Sequence, residues 1–357
     1  MAKKVLGGAV IGYGGMGHFH GRQMMKEEIP GIELIGVFDI DEKQLEDARA
    51  HGIEAFESRE ALLSDPRIDV VVIATPNDYH KEIAIDAMAH GKNVVSEKPV
   101  TLCPADLEEM IAAANKYGKL FTVHQNRRFD GDFLLAKHIM ETENLGGVFR
   151  VESRVHGSRG IPSGWREEKE HGGGMLYDWG VHMLDQMLWF MRDKAELVSV
   201  YSTMTHITNA ECDDGFSVLC KFSNGMEWII EIDTNNFISL PRWYILGVNG
   251  SAVIEDWDLN GKIVKVTDFS KQDSAPIVAG MGITRTMAPR TEETIKTFPL
   301  QKEGFEGDWN GYYRNLIAAI NGEEDILVTH DQQRKLLRVI EAIFKSAAAN
   351  EVVYLNK

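Results

Sequence analysis

Gly12-Tyr13-Gly14-Gly15-Met16-Gly17 follows an apolar run, Val5 to Ile11, and opens a stretch with helical spacing, Gly15 to Glu28. The three glycines of this GxGxxG turn have separate physical uses. The first permits a tight turn, the second lets the backbone approach a pyrophosphate, and the third lets helix and strand pack closely. Phosphates then rest on the helix N-terminus, where unpaired N–H groups and the helix dipole favour negative charge. Asp39 ends the next strand, 22 residues after Gly17, where an acid accepts hydrogen bonds from ribose hydroxyls. Together they read as a dinucleotide site. An acid at that place repels a 2′-phosphate, so the expected cofactor is NAD, with NADP disfavoured. The plainer reading of Asp39 is a cap on the helix that starts at Asp41.

Working outward, strands alternate with helical patterns. Ile32–Asp39 is extended, Asp41–His51 helical, and Asp69–Thr75 a β-branched run of the kind buried on both faces. Asp78–His90 and Ala105–Tyr117 are helical by period, with Asn93–Glu97 and Leu120–His124 extended. Such alternation over short loops predicts a doubly wound α/β Rossmann domain with a parallel sheet, assigned to residues 1–125. Ala74-Thr75-Pro76-Asn77 and Glu97-Lys98-Pro99 then fall at carboxyl ends of parallel strands, where open α/β sheets bind ligands.

The pattern changes after about residue 145. One long helix, Gly173–Met191, is followed by extended segments at Glu196–His206, Gly215–Phe222, Met226–Asn235, Trp243–Val248 and Ser251–Asp256. Asn224-Gly225 and Asn249-Gly250 are hairpin signals, because primed turns need positive φ. All seven tryptophans lie beyond residue 164. These features predict an α+β C-terminal domain, residues 126–357, with a large, mostly antiparallel open sheet. Two terminal helices, Trp309–Ile320 and Asp331–Ala348, are placed to pack back on the first domain. Ser270–Lys302, with Pro276, Gly280 and Pro289, reads as a long loop on which Arg285 and Arg290 are read as solvated, with reach to an anionic substrate as the alternative.

Composition bounds the partners. With 357 residues the chain is long enough for two domains, and 44% hydrophobic with 26% charged residues is ordinary for a globular protein. A formal charge of -16 argues against nucleic acid, which is bound through excess Lys and Arg. No apolar run approaches the roughly 20 residues that span a bilayer. Met1-Ala2-Lys3-Lys4 runs into a glycine-broken strand and does not read as a signal peptide; Cys103, Cys212 and Cys220 form no CxxC pair and read as reduced thiols. The expected setting is cytoplasmic, with no membrane partner.

Asp178 and His182 stand four apart in the predicted helix, with Asp185 a turn later, so the three are expected on one face. A carboxylate beside an imidazole fixes its tautomer and raises its basicity, which suits proton removal from an alcohol. A plain helix-stabilising pair fits the same spacing. So does a metal site, but no third and fourth ligands are evident, and no metal is expected.

GxGxxG, Ala-Thr-Pro-Asn with His80, Glu97-Lys98-Pro99, and Gly172-Gly173-Gly174 leading to Asp178 and His182 occur in this order. In this the chain resembles the glucose–fructose oxidoreductase / inositol dehydrogenase (Gfo/Idh/MocA) family over essentially its whole length. The resemblance implies a catalytic set of Lys98, Asp178 and His182, and a homodimer or homotetramer formed through the C-terminal sheet. By the same analogy His80, Glu97 and Asn126 join the cofactor-binding residues. Arg127, Arg154 and His156 become substrate candidates, with Trp165 on the loop before the helix; Arg127 and Arg128 fit interdomain salt bridges equally well. The expected activity is NAD-dependent oxidation of a secondary ring hydroxyl on a sugar, cyclitol or glycoside. The alternatives are transient oxidation by tightly bound NAD, for example at C3 of a glycoside, and a non-catalytic dinucleotide-sensing regulator.

Overall fold

The computed structural model describes residues 5–26, 29–269 and 276–355. Its first sheet has the order β3-β2-β1-β4-β5-β6, all parallel. The chain runs β1 (Leu6–Ile11), α1 (Gly15–Met24), β2 (Ile32–Phe38), α2 (Glu42–Ala50), β3 (Glu54–Ala55), α3 (Arg59–Ser64) and β4 (Val70–Ile73). It continues through α4 (His80–Ala89), β5 (Asn93–Ser96), α5 (Pro104–Tyr117) and β6 (Phe121–Val123). All residues of β1 and β4 are buried, as central strands covered by helices on both faces must be. The strand order reverses between β1 and β4, so their carboxyl ends open a crevice at which this fold binds ligands.

The second sheet has nine strands in the order β16-β13-β12-β11-β7-β10-β9-β8-β17. It is reached through α6 (Gly131–Thr142); its first strand is β7 (Val148–His156), and α7 (Val181–Met191) follows before the next strand. The remaining strands are β8 (Leu197–Thr205), β9 (Gly215–Phe222), β10 (Glu227–Asp233), β11 (Trp243–Gly247), β12 (Gly250–Ile254) and β13 (Gly261–Val266). α7 packs against β10 and against the C-terminal helix His330–Ala349. β7 and β10 pair in parallel and the other neighbours are antiparallel, so the sheet is mixed. The stretch expected as a loop holds a small hairpin, β14 (Ile277–Ala279) with β15 (Gly282–Thr284), and an edge strand, β16 (Ile295–Pro299). Residues 270–275 of that expectation lie outside the described residues.

Two helices and a short strand close the chain: α8 (Asn310–Ile320), α9 (His330–Ala349) and β17 (Val353–Tyr354). A capping box at Thr329 and Gln332 starts α9. The tail packs on both sheets. Thr122 donates to the Val328 carbonyl, His330 Nε2 lies 2.9 Å from the Phe121 carbonyl, and Ser346 accepts from the Ser202 amide of β8.

Arg128 ties the segment after β6 to α7 and to the stretch before α9. Its guanidinium makes two 2.7 Å bonds to Asp185 of α7, with both side chains buried, and also donates to the Leu327 carbonyl. Asp185 therefore faces inward and does not extend a polar face from Asp178 and His182. Removing one partner of such a pair strands a charge in the interior, whereas replacing both leaves an apolar contact. Arg128→Ala is expected to lower stability by about 3–5 kcal/mol. Arg128→Met with Asp185→Leu should recover most of that loss. Urea unfolding of the three proteins checks this; a loss under ~1 kcal/mol for the single variant would contradict it.

Candidate active site

The glycine turn is built as its spacing requires. Gly12 has φ +88, and a Cβ there would lie 2.7 Å from the Ala74 carbonyl; a Cβ on Gly17 would lie 2.1 Å from the Gly12 oxygen. Strand and helix backbones thus touch at these two positions. At Gly14 and Gly15 an added Cβ would meet nothing within 4 Å, so the turn presents bare backbone to open space. No side chain caps α1 and its first turn has no acid, leaving its N–H groups and dipole for an anion. Asp39 anchors the other edge, accepting from the amides of Tyr13 and Asp41. The cap on α2 is Asp41, whose side chain accepts from the Lys43 amide. This donor set fits a dinucleotide diphosphate with a ribose beside Asp39.

A cavity of about 770 Å³ runs from this turn to α7. Gly12, Gly14, Gly15, Met16 and Asp39 line one end, with Ile40, Arg59 and Tyr79 nearby. Ala74, Thr75, Pro76, Asn77, Glu97, Lys98 and Asn126 line its middle; Arg127, Trp165, Asp178 and His182 line the far end with Arg166, Trp179 and Trp309. Three expected cofactor contacts stand back from it. Tyr13 is buried with its ring stacked on His18, Gly17 sits behind the turn, and His80 bridges the carbonyls of Thr75 and Pro99. His80 thereby holds the two strand-end loops together, a supporting role.

Arg154 and His156 are not in the cavity. Both lie on β7 among carboxylates: Arg154 beside Glu152 and Glu231, and His156 2.9 Å from Glu231. Period-two alternation explains this, since Val151 and Ser153 are buried on the helix-covered face and Arg154 and His156 point to the other. Arg285 and Arg290 are exposed and do not line it either.

The helix carrying Asp178 and His182 has a π-turn, Leu176–Gly180, ahead of α7. In that wider turn residues four apart no longer stack as in an α-helix. Among the described residues no hydrogen bond joins Asp178 to His182, contrary to the pairing expected from their spacing. Asp178 turns to cations instead: Lys98 Nζ is 3.1 Å from its carboxylate and 2.7 Å from its main-chain oxygen, and Arg166 Nε is 3.5 Å away. Charge explains the preference, because a carboxylate gains more from an ammonium than from a neutral imidazole. Burial opposes ionisation of Asp178, but Lys98 and Arg166 outweigh it and hold the carboxyl below its ordinary value. Burial, then the charges of Lys98 and Arg127, keep His182 well below the ordinary histidine value. Its Nδ1 is buried with no hydrogen-bond partner among the described residues.

Beneath Lys98 lies a buried polar cluster. Glu97 Oε1 is 2.8 Å from His20 Nε2 and 2.7 Å from His124 Nδ1, while Oε2 accepts from the Lys98 amide. Tyr313 of α8 closes it, with its hydroxyl on His20 Nδ1. The three groups lie within metal-ligating reach of one another, but hydrogen bonds between them account for their approach. His20 and His124 were not among the expected site residues. A signal for His20 existed: with Gly17, Gly21 and Met24 it shares the inward face of α1, where a polar side chain needs a partner. Trp179 and Trp309 were also missed, since an isolated tryptophan in a sequence reads as core.

Residues 6–125 match the oxidoreductase family with an NAD-binding Rossmann fold, and residues 133–253 match the GFO/IDH/MocA C-terminal domain. The chain is 32% identical to an uncharacterized oxidoreductase of Schizosaccharomyces pombe over 85% of its own length and 86% of the relative's. It is 26% identical to a scyllo-inositol 2-dehydrogenase (NADP(+)) of Bacillus subtilis, over 97% and 95%. An NAD-binding protein from Listeria innocua superimposes with a TM-score of 0.93 at 43% identity, covering 98% of this chain and 99% of that one. A chain with this cradle, this mixed sheet and these matches belongs to the GFO/IDH/MocA family of NAD-binding oxidoreductases.

Proposed function

We propose that the protein oxidises a secondary hydroxyl on a ring polyol, a sugar, cyclitol or glycoside, with NAD as the acceptor. The observation that carries this is the meeting of Lys98, Asp178 and a neutral, buried His182 in the cavity that the glycine turn opens. Bound NAD supplies the hydride acceptor. The protein's part is to hold the alcohol and manage its proton. A neutral imidazole has a lone pair for a hydroxyl proton, and His182 stays neutral because burial, Lys98 and Arg127 all disfavour its charged form. Lys98, fixed by two oxygens of Asp178, is placed as a donor to an oxygen that gains negative charge as its proton leaves. Arg166 supports Asp178 from the other side, and Trp165 and Trp179 help exclude water from the same end of the cavity.

Asp39 supports NAD over NADP, because a 2′-phosphate beside its carboxylate would be repelled. The scyllo-inositol relative carries NADP(+) in its name, so the preference is worth a direct measurement.

Lys98→Ala and His182→Ala should each lower kcat for a ring-alcohol substrate by about 10²–10⁴-fold. Turnover within a few-fold of wild type would remove that residue from the mechanism. Asp39→Ser should raise kcat/KM with NADP relative to NAD on the order of tenfold, and an unchanged ratio would dismiss the ribose assignment. The pH profile tests His182 separately. An acceptor must be unprotonated, and a pKa below 6.5 leaves His182 so as pH falls through 6.5; the acid limb of kcat/KM should therefore lie below that pH. An acid limb at or above pH 6.5 that disappears in His182→Gln would contradict the depressed value.

A further inference from the structure

A second cavity of about 680 Å³ adjoins the first and shares Arg127 and Trp309 with it. Its walls come from three places that the proposed reaction does not use. One is the N-terminus of α6 with Asp130 and Asp132, another is the turn Asp256–Asn260, and the third is the loop Lys302–Trp309. The walls are set closely: a Cβ on Gly131 would lie 1.9 Å from the Phe305 carbonyl, and the Asp308 amide donates to the Phe129 carbonyl.

Trp257 stands on the turn, half exposed, with the buried Arg242 guanidinium 4.7 Å from its ring on the inner side. Asp256 makes the turn rigid by accepting from the Asp258 and Asn260 amides and from Asn260 Nδ2. Across the cavity Trp309 anchors its N–H on Asp130 at 2.7 Å, which fixes its ring, with the Arg127 guanidinium 5.7 Å over it. Trp179, in the wall of the first cavity, lies 6.1 Å from Trp257, and the Arg127 guanidinium stacks 4.1 Å from Trp179. Aromatic surface is therefore continuous from beside His182 into the second cavity.

The charge of the lining selects among ligands. Five carboxylates, Asp130, Asp132, Asp258, Glu303 and Glu306, face two cations. Asp130 is matched by Arg127 and Asp132 by the buried Arg242, so the excess of acid comes from Asp258, Glu303 and Glu306, against Lys302, which donates to the Asp258 carbonyl. Such a surface repels phosphate and carboxylate, while its carboxylate oxygens accept hydrogen bonds from hydroxyl groups. Rigid aromatic faces rimmed by acceptors suit the apolar face and hydroxyl edge of a sugar, or an aromatic aglycone.

Resting on the function proposed above, we propose that this second cavity is a subsite for the non-reacting part of the substrate. The substrate class is then a glycoside of at least two rings whose second unit is neutral or cationic. A free monosaccharide or cyclitol would leave the subsite empty, and a sugar phosphate or nucleotide sugar would bring an anion against its carboxylates.

The test measures NADH formation by the NAD-supplied enzyme with methyl, p-nitrophenyl and 4-carboxyphenyl α- and β-glycosides of glucose and galactose. Cellobiose, maltose, glucose 6-phosphate and UDP-glucose complete the panel, and calorimetric titration of the same compounds reads binding without turnover. Two-ring neutral glycosides should exceed the matching methyl glycosides in kcat/KM by tenfold or more, with the anionic compounds poor. Trp257→Ala should bring that ratio to near one. Glu303→Lys should narrow the gap between 4-carboxyphenyl and p-nitrophenyl glycosides, a shift in selectivity that a merely unstable variant would not give. Turnover of methyl glycosides with no gain from a second ring overturns the subsite and leaves the proposed reaction standing. No NADH from any compound, with two-ring ligands still binding more tightly, overturns the reaction and keeps the subsite. Absence of the preference in both readouts, or a preference for the phosphates, overturns the subsite.

Discussion

Lys98 Nζ is held by two oxygens of a residue eighty positions later in the chain, the carboxylate and the main-chain carbonyl of Asp178. Much of the site follows from this one contact. It ties the carboxyl end of β5 in the parallel sheet to the π-turn ahead of α7, which packs against β10 of the second sheet. Both side chains are largely shielded from water, so the interaction is stronger than a surface ion pair and leaving either partner alone would be expensive. A cation fixed in this way cannot collapse onto other acids of a chain whose formal charge is -16. It also adds to what burial does to its neighbour: desolvation first, then the fixed ammonium, favours the neutral ring of His182.

Support for the contact comes from below. Glu97 is buried and ionised because two imidazoles and the Lys98 amide bind its oxygens, which offsets the desolvation that burial imposes. His20 is driven down to about 4, first by burial and then by the charge of His124, so the cluster as a whole does not carry excess positive charge. Tyr313 completes it from α8, more than two hundred residues after Glu97. The C-terminal helices are thus part of what orders the strand end that presents Lys98. A network of this kind is effective only when its members are satisfied, and such a network specifies one arrangement of a core.

The parallel sheet was legible in the sequence because each of its signals is local. β-branched runs, the GxGxxG turn and Asp39 lie within the first 75 residues, and the glycines at 12 and 17 are fixed by contacts between backbones adjacent in the fold. The second sheet was legible as strands but not as pairings. β7 and β10 lie about eighty residues apart and run parallel, a relation that hairpin signals cannot express. Within the site, Lys98, Asp178 and His182 come together as expected, but the partner of Asp178 was misread. Spacing of four implies a shared α-helical face, and the π-turn breaks that rule without a marker in the residue types. Arg154 and His156 were misplaced for the opposite reason. Strand alternation was available to assign their face, but it does not tell which face of a sheet is covered until the helices are placed.

The tryptophans show what a composition shift can and cannot reveal. Seven beyond residue 164 mark a second domain, and two of them, Trp228 and Trp243, are fully buried with their N–H groups bonded to Ser153 and Asp132. These stabilise the sheet core and meet no cavity. Trp179, Trp257 and Trp309 form a different set, partly exposed and strung between two adjoining cavities. Burying an indole is favourable by its large apolar area, so keeping three at cavity walls forgoes stability that a core position would give. Two of the three, Trp179 and Trp309, flank Arg127, whose guanidinium stacks on both rings while its Nη1 binds Asp130. The arginine then stands as a divider rather than as a free anion receptor. At the His182 end Lys98, Arg166 and Arg127 are each matched to a named acid, and beyond Arg127 the lining turns acidic. On the reading proposed above, a substrate lying across that divider would meet His182 on one side and hydrogen-bond acceptors for its hydroxyls on the other.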